Sequence, residues 1–97
     1  MSYGWIIDTD KVTSGHFPWE RDDKGTIGPG AITPEHEAAL NAGEGEEWRA
    51  YCDDGARFYT GRIVGEYDGF EPLEDFARPN AGATDIRYLH GGQWRSL

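Results

Sequence analysis

The feature that most constrains the fold is an alternation of side chains with period two between residues 46 and 65. Such an alternation is typical of a β-strand with one buried face. Asp53-Asp54-Gly55 supplies a turn, because Gly55 can adopt the positive φ that ends a type I turn with a bulge. The side chains that mark the two strands are Trp48, Ala50 and Cys52 against Arg49 and Tyr51, and then Phe58, Tyr59, Ile63 and Val64. The segment therefore predicts a β-hairpin.

Strand signals also occur at both ends of the chain. Tyr3-Gly4-Trp5-Ile6-Ile7 is a short run rich in aromatic and β-branched residues, which favours a strand over a helix. Near the other end, residues 84–89 and 93–97 flank Gly91-Gly92, a pair suited to a tight turn. We expect these last residues to form a second hairpin. The tryptophans on the predicted strands, Trp5, Trp48 and Trp94, are expected to lie in the core.

A short helix is predicted from Thr33 to about Asn41. Thr33 can cap free backbone N–H groups and Pro34 suits the first helical position, while Gly43 is placed to end the helix in the left-handed conformation. Its inward side is expected to consist of Ile32, Ala38, Ala39 and Leu40. A helix of this length is unstable alone in water and must pack on a sheet. We therefore predict an α+β fold: a small antiparallel sheet or partly open barrel of about five strands built from hairpins, with one short helix packed on it.

Two long connections separate these elements. Residues 8–31 are rich in Gly and charge without sustained periodicity, and Phe17 and Trp19 are expected to pin this loop to the body. Residues 65–82 contain Phe70, Leu73 and Phe76 at a spacing of three, which predicts one short helical turn over the core. Long structureless loops are uncommon in compact domains, so such loops are functional or mobile. A length of 97 residues favours one domain over the whole chain.

Charge narrows the function. The chain has 18 acidic and 9 basic side chains, a formal net charge of −9. The negative electrostatic field of such a chain repels phosphate backbones and anionic membrane surfaces. We therefore expect neither direct nucleic-acid binding nor membrane association. The acidity can serve solubility alone or attract a basic protein partner. The first residues carry no basic region followed by an apolar stretch, which predicts a cytoplasmic protein.

The sequence contains no catalytic, metal or cofactor signature. Asp8 and Asp10 begin like a calcium loop, but Val12 and Thr13 stand where further ligands are needed. Cys52 is the only cysteine, so neither an internal disulfide nor a multi-cysteine metal site can form within one chain. The glycines between residues 25 and 30 match no phosphate-binding loop, and no motif surrounds the histidines. We therefore predict no catalytic residues, no metal and no cofactor.

The remaining candidates are acidic clusters and an aromatic in a charged loop. Trp19 lies between Pro18 and Glu20, a setting typical of an interface anchor. The candidate interface residues are Trp19, Asp22, Asp23, Glu44, Glu46, Glu47, Phe70, Glu71, Glu74 and Asp75. The leading hypothesis is a non-catalytic acidic module that binds a basic protein. The alternatives are a DNA mimic that inhibits a nucleic-acid-binding protein, a small ligand-binding domain or enzyme using loop carboxylates, and a structural subunit.

Several segments resemble small uncharacterised proteins encoded by actinobacteria and their phages. The resemblance is carried by residues 3–7, by Thr26-Ile27-Gly28-Pro29 ahead of Thr33-Pro34, by the hairpin of residues 51–65 and by residues 72–88 with Pro79-Asn80-Ala81-Gly82-Ala83-Thr84. It covers most of the chain. It implies a mobile-element source but carries no known activity and no site residues.

Overall fold

The computed structural model describes residues 2–11, 24–52, 55 and 57–96 of the chain. Within these ranges the strands are β1 (Tyr3–Asp10), β2 (Ile27–Gly28), β3 (Glu46–Tyr51), β4 (Arg57–Gly65), β5 (Asp85–His90) and β6 (Gln93–Ser96). The helices are α1 (Pro34–Asn41) and a second helical segment, in which a π-helical turn (Leu73–Ala77) runs directly into α2 (Arg78–Ala81).

The strands form one open sheet of six strands in the order β2-β1-β4-β3-β5-β6. All neighbouring pairs are antiparallel. Both predicted hairpins are present, β3 with β4 and β5 with β6, and Gly91-Gly92 forms the turn of the second. The α+β prediction is therefore confirmed, with an open sheet and not a barrel.

One face of the sheet, which we call the core face, lies under the second helical segment. The register and the alternation of side chains bring its buried residues to the same side. The strand residues of this core are Trp5, Ile7, Trp48, Ala50, Tyr59, Ile63, Ile86 and Tyr88. Phe76 of the helical segment packs into them, with its ring centroid 5.4 Å from that of Trp5 and 5.2 Å from that of Tyr59.

On the opposite face, α1 packs against β1 and β4. Thr33 caps the helix as predicted, since its Oγ1 accepts from the backbone N–H of His36 at 3.2 Å. The helix ends at Gly43 with φ +87°, and Gly43 and Glu44 donate backbone bonds to the carbonyls of Leu40 and Ala39. These two bonds are the pair found where a glycine closes a helix in the left-handed conformation.

The predicted inward side of α1 is wrong at Ala38, which is exposed, whereas Leu40 is fully buried. His36 and Leu40 are four residues apart and share the side that faces the sheet. Position 38 is rotated by about 200° from both, so it points to solvent.

The two long connections contain more regular structure than the sequence predicts. β1 continues through Asp10 after a register shift between Ile7 and Thr9, and the two residues of β2 pair with Trp5 and Ile6. Backbone pairing to an existing strand thus extends the sheet into a polar, glycine-rich segment. Phe17 and Trp19 lie outside the described residues.

In the second connection the helical structure extends to residue 81 and exceeds the single predicted turn. Leu73 and Phe76 lie in this segment and are buried as predicted, whereas Phe70 precedes the helical turn and is 43% exposed. Two of the three side chains that the spacing predicts to face inward therefore do so. Phe70 is left at the surface.

Candidate functional site

The loop that enters the second helical segment forms one wall of a pocket of about 330 Å³, which we call the acidic pocket. It is lined by Tyr3, Asp68, Phe70, Glu71, Glu74 and Asp75. Four of these residues, from Phe70 onward, were predicted as interface residues from the sequence. Tyr3, at the start of β1, is more than sixty residues away from the other lining residues in the sequence. No local pattern therefore predicts that it lines the pocket.

Asp75 is fixed by two side chains of β1. Its Oδ2 accepts hydrogen bonds from Tyr3 Oη at 2.7 Å and from Trp5 Nε1 at 3.1 Å. The hydrogen bond to Asp75 raises the pKa of Tyr3 to about 12, and burial and the neighbouring carboxylates act in the same direction. Asp75 therefore links the pocket to the core face and has little freedom to reorient.

Glu71 fixes the loop that carries Phe70. Its two carboxylate oxygens accept from the backbone N–H groups of Asp68 and Gly69, each at 2.8 Å. From the core, the hydroxyl of Tyr88 donates to the carbonyl of Gly69 at 2.8 Å. Burial is the first cause that raises the pKa of Tyr88, which keeps this donor protonated. The loop is thus held both by its own carboxylate and by the core.

Two carboxylates and one ring remain available at the pocket. Asp68 and Glu74 are exposed, and within the described residues no side-chain oxygen of either has a hydrogen-bond or ion-pair partner. Phe70 is the large hydrophobic side chain that stands exposed in the described part of the chain. The pocket therefore offers negative charge beside an apolar surface on a rigid frame, an arrangement suited to holding a cation with an apolar stem.

The glutamates after α1 do not belong to this pocket and do not act together. Glu46 accepts from Tyr67 Oη at 2.8 Å, and its carboxylate lies 3.9 Å from His90 Nε2. Glu47, one residue later in the same strand, is exposed on the opposite face of the sheet. Glu44 is exposed beyond the helix. The remaining candidates, Trp19, Asp22 and Asp23, lie outside the described residues.

Arg62 balances much of the charge around the end of α1. Its Nε and Nη2 donate to the two oxygens of Asp8 at 2.8 and 2.9 Å, and its Nη1 donates to the carbonyls of Leu40 and Glu44 at 2.9 and 3.0 Å. The bond to Asp8 is the first cause that raises the pKa of this guanidinium. A positive group therefore lies at the negative end of the helix dipole.

The sequence did not predict a second concave region, which lies on the part of the opposite face that none of the described helices covers. It is a groove of about 370 Å³ whose lining includes Lys11, Glu47, Arg49 and Trp94. The Arg49 guanidinium carbon lies 3.8 Å from the centroid of the Trp94 ring. Trp94 is half-buried here, so its predicted place in the core is wrong. The alternation of side chains along β3 and β6 could have indicated this position, because it places Arg49 and Trp94 on the face opposite Trp48.

The described residues offer little for other chemistry. No three side chains among His, Cys, Asp and Glu in these ranges are arranged to hold a metal ion. The helices found there are too short or too polar to span a bilayer. Cys52 is half-buried and follows the last residue of β3. Its predicted position within the strand is therefore wrong.

Comparison with known proteins adds no assignment: no protein-family model matches the chain, and neither a curated protein nor a solved structure matches it. The resemblance to actinobacterial and phage proteins stays a prediction.

Proposed function

We propose that this chain is a non-catalytic protein-binding module whose acidic pocket receives a basic side chain of a partner protein. The observation that carries the proposal is the position of Phe70, 43% exposed at a pocket with two carboxylates that have no partner among the described residues. An apolar ring bordered by charge is a common anchor of protein interfaces. The partner need only present Lys or Arg on an accessible segment.

The chemistry of the pocket favours a cation with an apolar stem. A Lys or Arg side chain can lay its methylene groups on Phe70 while its charged head reaches Asp68 and Glu74. The bonds that fix Glu71 and Asp75 leave the loop ordered before binding, which reduces the entropy lost on association. The net charge of −9 would attract a basic partner from a distance at low salt.

The proposal is tested by titrating the ¹⁵N-labelled chain with a hexa-arginine peptide and following backbone amide shifts. We expect saturable shifts centred on residues 68–75, with binding weakened about tenfold by F70A and by E74Q. E35Q is the matched control, because Glu35 is an exposed carboxylate on α1, outside the pocket lining. It should bind like the native chain.

Two results would count against a specific pocket. One is a set of shifts spread over all acidic residues without a centre at the pocket. The other is an equal loss of affinity in E35Q and E74Q, which would indicate general attraction to the net charge. Raising the ionic strength from about 0.05 to about 0.5 M should weaken the native complex without abolishing the contribution of Phe70.

The other hypotheses from the sequence stay predictions. A DNA mimic needs carboxylates spaced like phosphates over a continuous surface. No feature of the described surface favours it, because Arg62 binds Asp8 while Glu46 and Glu47 lie on opposite faces. The cytoplasmic location, the mobile-element origin and the enzymatic and structural alternatives likewise have no observation that favours them.

A further inference from the structure

The groove on the side of the sheet opposite the core contains an arginine that no carboxylate of the described residues balances. Arg49 of β3 stands directly opposite Arg87 of β5 in the antiparallel register. Like charges in such cross-strand pairs are destabilising. Arg87 is compensated, since its Nε donates to Asp85 Oδ2 at 2.8 Å and the hydroxyl of Ser96 lies 3.2 Å from the same oxygen. Within the described residues Arg49 has no carboxylate partner.

The stacking on Trp94 prepares Arg49 to bind an anion. The Arg49 guanidinium carbon lies 3.8 Å from the centroid of the Trp94 ring, a cation–π contact that holds the guanidinium without using its N–H donors. The planar arrangement of these donors matches the two oxygens of a carboxylate. Arg49 is half-buried, so a bond formed here is less screened than one at the open surface.

The rest of the groove supports a single negative charge. Lys11 lines it as a second cation and has no described carboxylate partner. Of the two carboxylates in the lining, Asp8 is already bound through both oxygens by Arg62, and Glu47 remains exposed. Among the described lining residues, two cations without a carboxylate partner therefore face one exposed carboxylate, which favours one further negative charge, and a doubly charged phosphate would be disfavoured beside Glu47. The volume of about 370 Å³ lies in the range of small-ligand sites.

We infer that this groove is a carboxylate-binding site, in which Arg49 holds the carboxylate and Lys11 adds a second positive charge. The carboxylate can belong to a small organic acid or to an acidic side chain of a peptide, and both present the same group to Arg49. The site is separate from the acidic pocket. Its success or failure therefore leaves the proposed function unaffected.

The test is a titration of the full chain with N-acetylglutamate in one arm and a Gly-Ser-Glu-Ser-Gly peptide blocked at both ends in the other. We expect saturable shifts of the Arg49 Nε–H and Trp94 Nε1–H signals, and the arm with the tighter binding identifies the source of the carboxylate. R49Q should weaken binding about tenfold or more. R78Q removes one exposed positive charge from α2 and should bind like the native chain.

Four results would overturn the inference. The first is the absence of saturable shifts at Arg49 and Trp94 in both arms. The second is an equal loss of affinity in R78Q, and the third is tighter binding of inorganic phosphate than of either carboxylate. The fourth is a set of nuclear Overhauser contacts from side chains of residues 12–23 to the Trp94 ring in the free protein, which would show that the chain itself fills the groove. Far-ultraviolet circular dichroism of R49Q checks that the variant is folded, so that a loss of binding is not caused by unfolding.

Discussion

The two faces of the sheet are built from the same strands but are covered differently. On the core face the rings of Trp5 and Tyr59 pack against Phe76 of the second helical segment. On the opposite face α1 packs against β1 and β4, and farther along the sheet Trp94 lies half-buried under the Arg49 guanidinium. Aromatic side chains of the strands therefore have different roles on the two faces. Those on the core face pack in the core, whereas Trp94 on the opposite face contacts a charged group.

The same difference separates neighbouring charges. Glu46 and Glu47 are adjacent in β3, yet Glu46 accepts from Tyr67 on the core-face side while Glu47 is exposed on the other. Burial raises the pKa of Tyr67, with the Glu46 hydrogen bond as a second cause. Net charge alone cannot distinguish these two carboxylates. Their environments differ because successive positions of a strand point to opposite faces of the sheet.

The comparison of the two faces is tested most severely by two tryptophan truncations. Trp48 is fully buried, so W48A should lower the free energy of unfolding by about 3–5 kcal/mol through lost burial and a cavity. W94A removes a half-buried ring and should cost about 1–2 kcal/mol, less than W48A, because the ring buries less apolar surface. Urea unfolding followed by circular dichroism measures both. Equal losses in the two variants would show that the opposite face is a second core.

A methyl group at Gly61 sharpens the description of the core face. A Cβ at this position would meet the Ile6 carbonyl oxygen and come within 2.5 Å of Trp48 Cζ2, so the ring lies directly over the glycine. G61A should therefore lower the free energy of unfolding by about 3 kcal/mol, because neither the backbone nor the packed ring can easily move. G30A is the control, since a Cβ there has no neighbour within 4 Å. A near-neutral G61A would mean that Trp48 can shift.

On the opposite face Arg62 should matter through its hydrogen bonds. R62A leaves Asp8 without its partner and removes donors from the carbonyls at the end of α1. We expect a loss of about 2 kcal/mol in the free energy of unfolding, the size typical of hydrogen bonds to a charged group. R62K keeps the charge but not the planar donors, so it should fall between native and R62A. A neutral R62A in urea unfolding at moderate salt would contradict this.

Local chemistry accounts for the parts of the fold that could be predicted from the sequence. The period-two alternation identified β3 and β4, and Thr33 and Gly43 marked the ends of α1, because each depends on a few neighbouring residues. β2 could not be predicted, since two residues carry no period and join the sheet only by pairing with β1. This strand depends on contacts with residues more than twenty positions earlier in the chain.

The candidate site shows the same division. Phe70, Glu71, Glu74 and Asp75 could be proposed from composition, because they cluster within one loop and helical turn. Tyr3 and Trp5 could not, as their bonds to Asp75 span 72 and 70 residues. For Trp94 the alternation along the strand predicts which side chains share its face of the sheet. Which of the two faces is buried depends on where the helices pack.

The last prediction concerns the coupling between the core face and the acidic pocket through Tyr3 and Asp75. The pKa of Tyr3 is raised from 10.0 to about 12 in the folded chain, so the folded state holds this proton more tightly than the unfolded state does. The resulting stabilisation is fully present below pH 10 and is lost as the pH rises through about 12. D75N removes the charge that accepts the bond, so the pKa of Tyr3 should fall toward 10.0.

The ¹³Cζ shift of Tyr3, followed as a function of pH, measures this directly, and Y3F identifies the signal by removing it. The stability difference between native and D75N should be constant below pH 10 and should narrow between pH 10 and 12, because the native chain alone loses the contribution there. An unchanged pKa of Tyr3 in D75N would show that burial, and not the bond to Asp75, holds the proton. In that case the bond from Trp5 Nε1 alone would hold Asp75 at the acidic pocket.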